Sequence, residues 1–103
     1  MEDLGHGQVW WADLDKARPV VVLTRARVAP LLSRVLVAPV TSVDRRLRSE
    51  VAIGEAEGVD EGSVVSLDNT QLVPVNHLLL QVGEFSPTRW PEVCRAMADS
   101  IGC

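Results

Sequence analysis

Polar side chains stand where three apolar runs of the sequence begin or end, and their types suit the binding of a phosphate. They are Arg18 before residues 19–23, Thr41 and Ser42 after residues 35–40, and Asp68, Asn69 and Gln71 after residues 63–67. A guanidinium holds a phosphate by charge, hydroxyl and amide groups hydrogen-bond its oxygens, and a carboxylate can act as a base. Strand ends are also commonly polar, and Thr-Ser and Asp-Asn often form turns. These residues alone therefore fit either a phosphate site or ordinary turns.

The basic residues are concentrated in one part of the chain. Eight of the ten Lys and Arg residues lie between residues 16 and 48, where Asp44 is the one acid, although the whole chain has a formal net charge of −4. Most are arginines, whose planar guanidinium suits phosphate better than lysine does. The segment predicts a polyanion-binding surface. The alternative is a solvated surface whose arginines pair with acids elsewhere, such as those of the loop at residues 54–62.

Short β-rich runs separated by turn residues are expected to position these groups. Strands are predicted at residues 8–13, 19–24, 34–40, 50–53, 63–67, 71–75 and 79–82. No connection between them is long enough for a helical crossover, which favours an antiparallel sheet closed or half-closed into a small barrel. The strand at residues 19–24 is expected to be central, and Pro39 should lie near an edge or a bulge. Antiparallel neighbours would bring the polar strand ends together.

The end of the sequence predicts one amphipathic helix at residues 88–101. Its apolar residues recur at three- and four-residue spacing and form one stripe: Trp90, Val93, Cys94, Met97 and Ile101. Ser86 or Thr88 is expected to cap the helix, Pro91 falls in its first turn, and Gly102 ends it. The helix should cover one face or mouth of the sheet. We therefore predict a single, mainly β domain that spans the whole chain, residues 1–103.

The sequence has no clear metal-binding or cofactor-binding motif and no membrane-spanning segment. His6 lies in an N-terminal segment that is expected to fray, and His77 lies at a strand boundary without a neighbouring ligand. Cys94 and Cys103 lack the paired spacing of a zinc site. We therefore expect no metal and no cofactor. There is no apolar run of membrane-helix length and no signal-peptide pattern, which predicts a cytoplasmic protein.

Five segments, in order, resemble the MazF/PemK family, the toxins of bacterial toxin–antitoxin pairs. They are G-Q-V-W at residues 7–10, R-P-V-V-V-L at 18–23, V-A-P-V-T-S at 37–42, S-V-V-S-L-D-N at 63–69 and V-G-E-F-S at 82–86. The resemblance implies a small SH3-like antiparallel β-barrel with a C-terminal helix, assembled as a homodimer. It also implies a metal-independent endoribonuclease that cuts single-stranded RNA at short sequences.

The resemblance implies roles for individual residues. In that family the 2′-hydroxyl next to the cut attacks the phosphorus and leaves a cyclic phosphate and a 5′-hydroxyl. The family's R-P arginine falls on Arg18, which would stabilise charge on the phosphorus, and its strand-three threonine falls on Thr41, which would hydrogen-bond a phosphate oxygen, with Ser42 beside it. Asp68 matches an acid that some members use near the 2′-hydroxyl, and Asn69 matches an amide that contacts RNA.

The remaining predicted contacts concern RNA and an inhibitory partner. Further substrate-binding residues are predicted at Gln71 and on the turn after Thr41, at Arg45, Arg46 and Arg48. The basic segment at residues 16–48 is expected to line the RNA channel. A cognate antitoxin is expected to compete for it with an extended acidic segment, because one positive field attracts both polyanions.

Two other functions fit the same kind of fold. It resembles that of CcdB-type gyrase poisons, which act by binding protein and depend on an aromatic residue at the extreme C-terminus, whereas this chain ends Ile101-Gly102-Cys103. The other is a non-catalytic β-barrel binding module, in which Arg18 and Thr41 could be exchanged without effect.

Overall fold

Seven β-strands and one α-helix form the core of the computed structural model, which describes residues 4–103. The strands are β1 Gln8–Asp13, β2 Ala17–Val22, β3 Arg34–Thr41, β4 Glu50–Ile53, β5 Ser63–Ser66, β6 Gln71–Pro74 and β7 Leu78–Glu84, and the helix is α1 Trp90–Ser100. Every predicted strand is present, with its ends within two residues of the prediction. Met1, Glu2 and Asp3 of the predicted domain lie outside the described residues.

The strands pair antiparallel throughout, in the order β4-β5-β3-β2-β1-β7, and β6 also pairs with β3. β2 lies between β1 and β3, which confirms its predicted central place. No pairing within residues 4–103 joins the outer strands β4 and β7, so closure into a barrel stays a prediction. The segment after β4 nevertheless packs onto β7, where Gly58 and Gly83 approach so closely that neither has room for a side chain.

β3 changes its neighbour part-way along its length. Residues 34–37 pair with β6, whereas Val40 and Thr41 pair with β5. Pro39 lies between these two stretches, opposite Val20 of β2, at a point where its missing N–H leaves no ladder bond unmade on the β5 and β6 side. The prediction that Pro39 marks an edge or a bulge is therefore wrong, because it marks a change of partner inside the sheet.

Both faces of the sheet are buried by apolar clusters. Val21 and Val40 belong to one cluster, which α1 covers with Val93. Val20 and Val22 belong to the cluster on the opposite face. Successive residues of a strand point to opposite faces, so a continuous valine run is what a strand covered on both sides requires.

Helix α1 uses part of the predicted apolar stripe. Three of its five residues pack against the first cluster: Trp90, Val93 and Met97. Cys94 and Ile101 are exposed, and Ala96 is buried instead. The buried face of the helix therefore includes Ala96 and leaves out these two predicted residues. The helix begins after Arg89 with no side-chain cap, while the Ser86 and Thr88 hydroxyls bond each other, so both predicted caps are wrong.

Candidate active site

A cavity of about 450 Å³ opens where β2 begins and β3 ends. These two strand ends meet because the strands are antiparallel neighbours. The wall of the cavity is formed by Leu14, Asp15, Arg18, Pro39, Thr41, Arg45, Ser66, Asn69 and Gln71. Five of the nine residues that the sequence predicted for the site therefore share one cavity: Arg18, Thr41, Arg45, Asn69 and Gln71.

Arg18 presents a guanidinium that is only partly paired. Its side chain is 26% exposed, and its Nη2 lies 3.6 Å from Oδ1 of Asp15, a long contact to a side chain that is 80% exposed. Its Nε is buried and has no hydrogen-bond partner within residues 4–103. A buried N–H without an acceptor costs free energy. The exposed part of the side chain is what an anion in the cavity can contact.

Two polar side chains of the wall are fixed by local hydrogen bonds. Thr41 Oγ1 accepts the backbone N–H of Val43 at 3.1 Å, which leaves its own hydroxyl hydrogen to donate into the cavity. Asn69 Nδ2 donates to Ser66 Oγ at 2.8 Å, which sets the plane of the amide. The cavity therefore combines the cations of Arg18 and Arg45 with a hydroxyl and an amide in fixed positions, a combination that suits a phosphate.

Asp68 lies outside the cavity wall although its neighbour Asn69 belongs to it. The Asp68 carboxylate accepts a hydrogen bond from the buried Ser49 hydroxyl. The backbone of Ser49 also accepts the N–H of Leu67 at 3.0 Å. These two bonds tie the turn at Leu67–Asn69 to the segment before β4. The contact of Asp68 with Ser49 positions this turn, and the predicted catalytic role of Asp68 stays a prediction.

The turn after Thr41 carries three arginines. Carboxylates accept the backbone N–H groups of Arg45 and Arg46. Arg45, Arg46 and Arg48 are exposed, and none of them belongs to the three ion pairs found in residues 4–103. Arg45 lines the cavity, whereas Ser42, Arg46 and Arg48 do not. The alternative in which these arginines pair with the acidic loop at residues 54–62 is therefore not what the structure contains.

The basic segment between residues 16 and 48 does not form one surface. Arg25 and Arg27 lie in the loop between β2 and β3, and Arg34 begins β3. They stand at the opposite end of these strands from Arg18 and Thr41. The prediction of a single basic surface is wrong because the chain reverses direction within the segment.

The acidic loop pairs instead with Arg89, at the start of α1. Arg89 Nη1 lies 3.2 Å from Oε2 of the buried Glu57, and its Nε lies 2.8 Å from Oε2 of Glu92. Its Nη2 donates to the carbonyl of Ala52 at 2.7 Å, and the guanidinium lies 5.2 Å from the Phe85 ring centre. The hydrogen bond with Glu92 raises the pKa of Arg89 and lowers that of Glu92. Arg89 lies outside the cavity wall and joins helix, sheet and loop.

His6 makes two contacts with other parts of the chain, so the prediction that it lies in a frayed segment is wrong. His6 Nδ1 accepts the N–H of Ala26 at 3.1 Å, and its ring centre lies 5.2 Å from that of Trp90. Within residues 4–103 no group of three or more His, Cys, Asp or Glu residues is arranged to hold a metal ion. In the same part of the chain no helix has both the length and the apolar character needed to cross a membrane.

Residues 6–101 match the PemK-like, MazF-like toxins of type II toxin–antitoxin systems. The chain belongs to this family. This MazF-like toxin is 46% identical over 91 residues to endoribonuclease MazF3 of Mycobacterium tuberculosis, an alignment that covers 88% of the toxin and 84% of that relative. The toxin is an endoribonuclease of the MazF type, so neither the gyrase-poison nor the non-catalytic alternative is supported.

Solved structures agree on the fold. Mycobacterium tuberculosis toxin MazF-mt6 superposes with a TM-score of 0.89 at 41% identity, covering 92% of this MazF-like toxin and 96% of that chain. An endoribonuclease in complex with its cognate antitoxin from a mycobacterial species superposes with a TM-score of 0.86 at 23% identity, covering 96% and 95%. The predicted fold class, mainly antiparallel β with a C-terminal helix, is confirmed as MazF-like.

Four residues of the toxin's cavity wall were not predicted as site residues: Leu14, Asp15, Pro39 and Ser66. Leu14 and Asp15 belong to the three-residue turn at 14–16, where Asp13 of β1 pairs with Ala17 of β2. The sequence feature that could have indicated Asp15 is its position in this tight turn, three residues before Arg18. Pro39 and Ser66 lie inside apolar runs, and only the strand pairing brings them to the cavity.

Proposed function

We propose that this toxin cuts single-stranded RNA at short sequences, without a metal ion or cofactor, by attack of the RNA's own 2′-hydroxyl. The 2′-hydroxyl loses its proton to a base as its oxygen forms a bond to the phosphorus, and the bond from the phosphorus to the 5′-oxygen breaks. The 5′-oxygen takes a proton from solvent water, and the base returns its proton to the solvent. The products are a 2′,3′-cyclic phosphate and a 5′-hydroxyl. The observation that carries the proposal is that Thr41 and the partly exposed side chain of Arg18 line one cavity.

Each polar group of the cavity has a part in this reaction. Arg18 stabilises the extra negative charge on the pentacoordinate phosphorus, and its guanidinium keeps its proton throughout. Thr41 donates its hydroxyl hydrogen to a phosphate oxygen. Asn69 and Gln71 contact the RNA next to the cut. Among the carboxylates, Asp15 lines the cavity and Asp68 does not, so Asp15 is the better placed of the two to accept the proton of the 2′-hydroxyl.

The purified chain tests this reaction directly. RNA of mixed sequence should be cut in the presence of EDTA, and the fragments should carry a cyclic phosphate at the 3′ end. Once a cut site is mapped, a 2′-deoxy substitution at the nucleotide 5′ to it should abolish cleavage, and DNA of the same sequence should be inert. Activity that is abolished by EDTA and restored by magnesium would overturn the metal-independent reaction. Cleavage of the 2′-deoxy substrate would overturn attack by the 2′-hydroxyl.

We further propose that the toxin is a homodimer. Trp11 of β1 lies directly opposite Leu80 of the outer strand β7, and their side chains are 40% and 64% exposed, which forms an apolar pair on the sheet surface. A change of Leu80 to Lys should shift the mass measured by light scattering from dimer to monomer. The matched control is Leu31→Lys, because Leu31 is also exposed, at 81%, but lies in a turn. A wild-type monomer at micromolar concentration would contradict the dimer.

We also propose that a cognate antitoxin inhibits the toxin in the cytoplasm by laying an extended acidic segment across Arg45, Arg46 and Arg48. Their guanidinium groups form no ion pair in the described part of the chain, which supports this, as does the antitoxin complex of the mycobacterial endoribonuclease with the same fold. Replacing the three arginines by Ala should weaken inhibition by the antitoxin and flatten the salt dependence of RNA binding, by about 2 in the logarithmic slope. An unchanged slope would place the RNA elsewhere.

A further inference from the structure

Three exposed arginines stand at the end of the sheet opposite the active-site cavity. Arg25 and Arg27 lie in the loop between β2 and β3, and Arg34 is the first residue of β3; we call these three residues the distal basic surface. None of them forms an ion pair within residues 4–103. Thr24 Oγ1 accepts the N–H of Leu36 at 2.8 Å, which holds the loop against β3 close to Arg34.

Two aromatic rings are fixed beside this surface. The hydrogen bond from Ala26 N to His6 Nδ1 joins the His6 ring to the backbone between Arg25 and Arg27. His6 in turn contacts Trp90, and both rings line a cavity of about 420 Å³ together with Arg25. The rest of that cavity wall is mostly apolar and can contact the face of a base.

Cations next to aromatic rings are the combination with which proteins hold single-stranded nucleic acid. Phosphates are attracted to the cations, and bases of any sequence stack on the rings. An acidic peptide would use the charge of Arg25, Arg27 and Arg34, but it stacks on the rings only where it carries an aromatic side chain, whereas every nucleotide of an RNA carries a base. The surface therefore fits RNA better than an acidic peptide.

The length of β3 separates this surface from the cavity. Its eight residues run from Arg34 to Thr41. At about 3.3 Å per residue, the two ends are about 23 Å apart. An RNA that only fills the cavity does not reach the distal basic surface, whereas a longer strand does.

We propose that the distal basic surface binds the RNA strand that flanks the cut sequence. The inference rests on the proposed function, because it assumes that the RNA is cut in the cavity at Arg18 and Thr41. The arginines contact phosphates rather than base edges, so they increase affinity for long RNA without changing which sequence is cut.

The test compares two lengths of RNA on the triple variant R25A/R27A/R34A. Both strands contain the mapped cut sequence with a 2′-deoxy block, and they are about 5 and about 16 nucleotides long, the range over which small β folds bind single strands. We expect the variant to bind the short RNA like wild type. For the long RNA we expect weaker binding and a logarithmic salt slope that is lower by about 2.

Two control variants separate the role of the distal basic surface from the effect of removing any exposed charge. The variant R25K/R27K/R34K keeps the charge and should keep most of the salt slope. Arg95→Ala removes one exposed charge from α1 and should change the binding of neither the short nor the long RNA. Unchanged affinity for the long RNA, or an equal loss on both lengths, would overturn the proposal. If the triple variant binds long RNA normally but loses an acidic peptide, the surface belongs to a peptide instead. Failure of wild type to cut RNA would refute the proposed function, a result separate from any of these.

Discussion

The Glu50 carboxylate holds the backbone of Arg45. Its two oxygens accept the Arg45 N–H at 3.1 and 3.4 Å, and Oε1 also accepts the N–H of Leu47 at 2.9 Å. Asp44 Oδ1 accepts the intervening N–H of Arg46 at 2.7 Å, and Arg46 has a left-handed φ of 56°. Three successive amides are thus held by carboxylates, which fixes the turn, while its guanidinium groups form no ion pair within residues 4–103.

Removing the Glu50 side chain should weaken RNA binding more than it slows the chemical step. Glu50→Ala should raise KM about tenfold with little change in kcat, because the loss of roughly 1.4 kcal/mol falls on the placement of Arg45. Glu50→Gln, which keeps one acceptor oxygen, should recover part of the loss. Glu84→Ala removes an exposed acid elsewhere and is the control. A fall in kcat at constant KM would contradict a positioning role.

Arg18 and Thr41 should be needed for cleavage and not for folding. Arg18→Ala and Thr41→Ala should each lower kcat by about 100-fold to 1000-fold, the usual effect of removing one donor to a developing charge. Their circular dichroism spectra and melting temperatures should stay close to wild type. Arg95→Ala, on the exposed side of α1, should cleave normally. Near-wild-type cleavage by either variant would remove that residue from the mechanism.

The two carboxylates near Arg18 and Asn69 should behave differently. Asp15→Asn should lower kcat, because Asp15 lines the cavity. Asp68→Asn should mainly lower stability, because the Asp68 carboxylate accepts the Ser49 hydroxyl. Single-turnover cleavage rates, measured beside urea unfolding of each variant, separate the two. If Asp68→Asn abolishes cleavage in a stable protein while Asp15→Asn does not, Asp68 is the base.

Arg89 should matter for stability. Arg89→Ala leaves the carboxylate of Glu57, whose side chain is 6% exposed, without its cationic partner. We expect the free energy of unfolding to fall by about 3 kcal/mol, as is typical when one partner of a buried pair is removed. The double variant R89M/E57Q should recover part of the loss. Urea unfolding measures both, and an Arg89→Ala protein as stable as Arg95→Ala would contradict the prediction.

The pair of Arg89 and Glu92 should make stability depend on pH in the acid range. The hydrogen bond from Arg89 lowers the pKa of Glu92 from its ordinary value of 4.5. A lowered folded-state pKa stabilises the protein above the unfolded-state value, and this contribution is lost as pH falls through the folded-state value. Wild type should therefore exceed Glu92→Gln in stability at neutral pH. The difference should start to shrink near pH 4.5 and vanish only below the lowered folded-state pKa of Glu92. A difference that persists at low pH would point to packing instead.

The sequence predicted the strands well because each is a short apolar run bounded by turn residues. It also predicted that Arg18 and Thr41 meet, since both lie at ends of antiparallel strands. It failed where the outcome depends on tertiary pairing. The change of partner at Pro39 arises because β5 and β6 share one side of β3, and Asp68 turns to Ser49 although its neighbour Asn69 lines the cavity. Neither relation has a local sequence signal.

The turn at residues 14–16 is closed so tightly that the Leu14 N–H reaches the Lys16 carbonyl at 3.3 Å. A turn of this length has too little conformational freedom to fold over a bound strand. In the proposed reaction, RNA would therefore meet a wall that is already formed, and its binding would not have to order this turn. We then expect diffusion, electrostatic steering and the conformation of the RNA itself to set the rate of association, so that unstructured regions of a transcript are bound before folded ones.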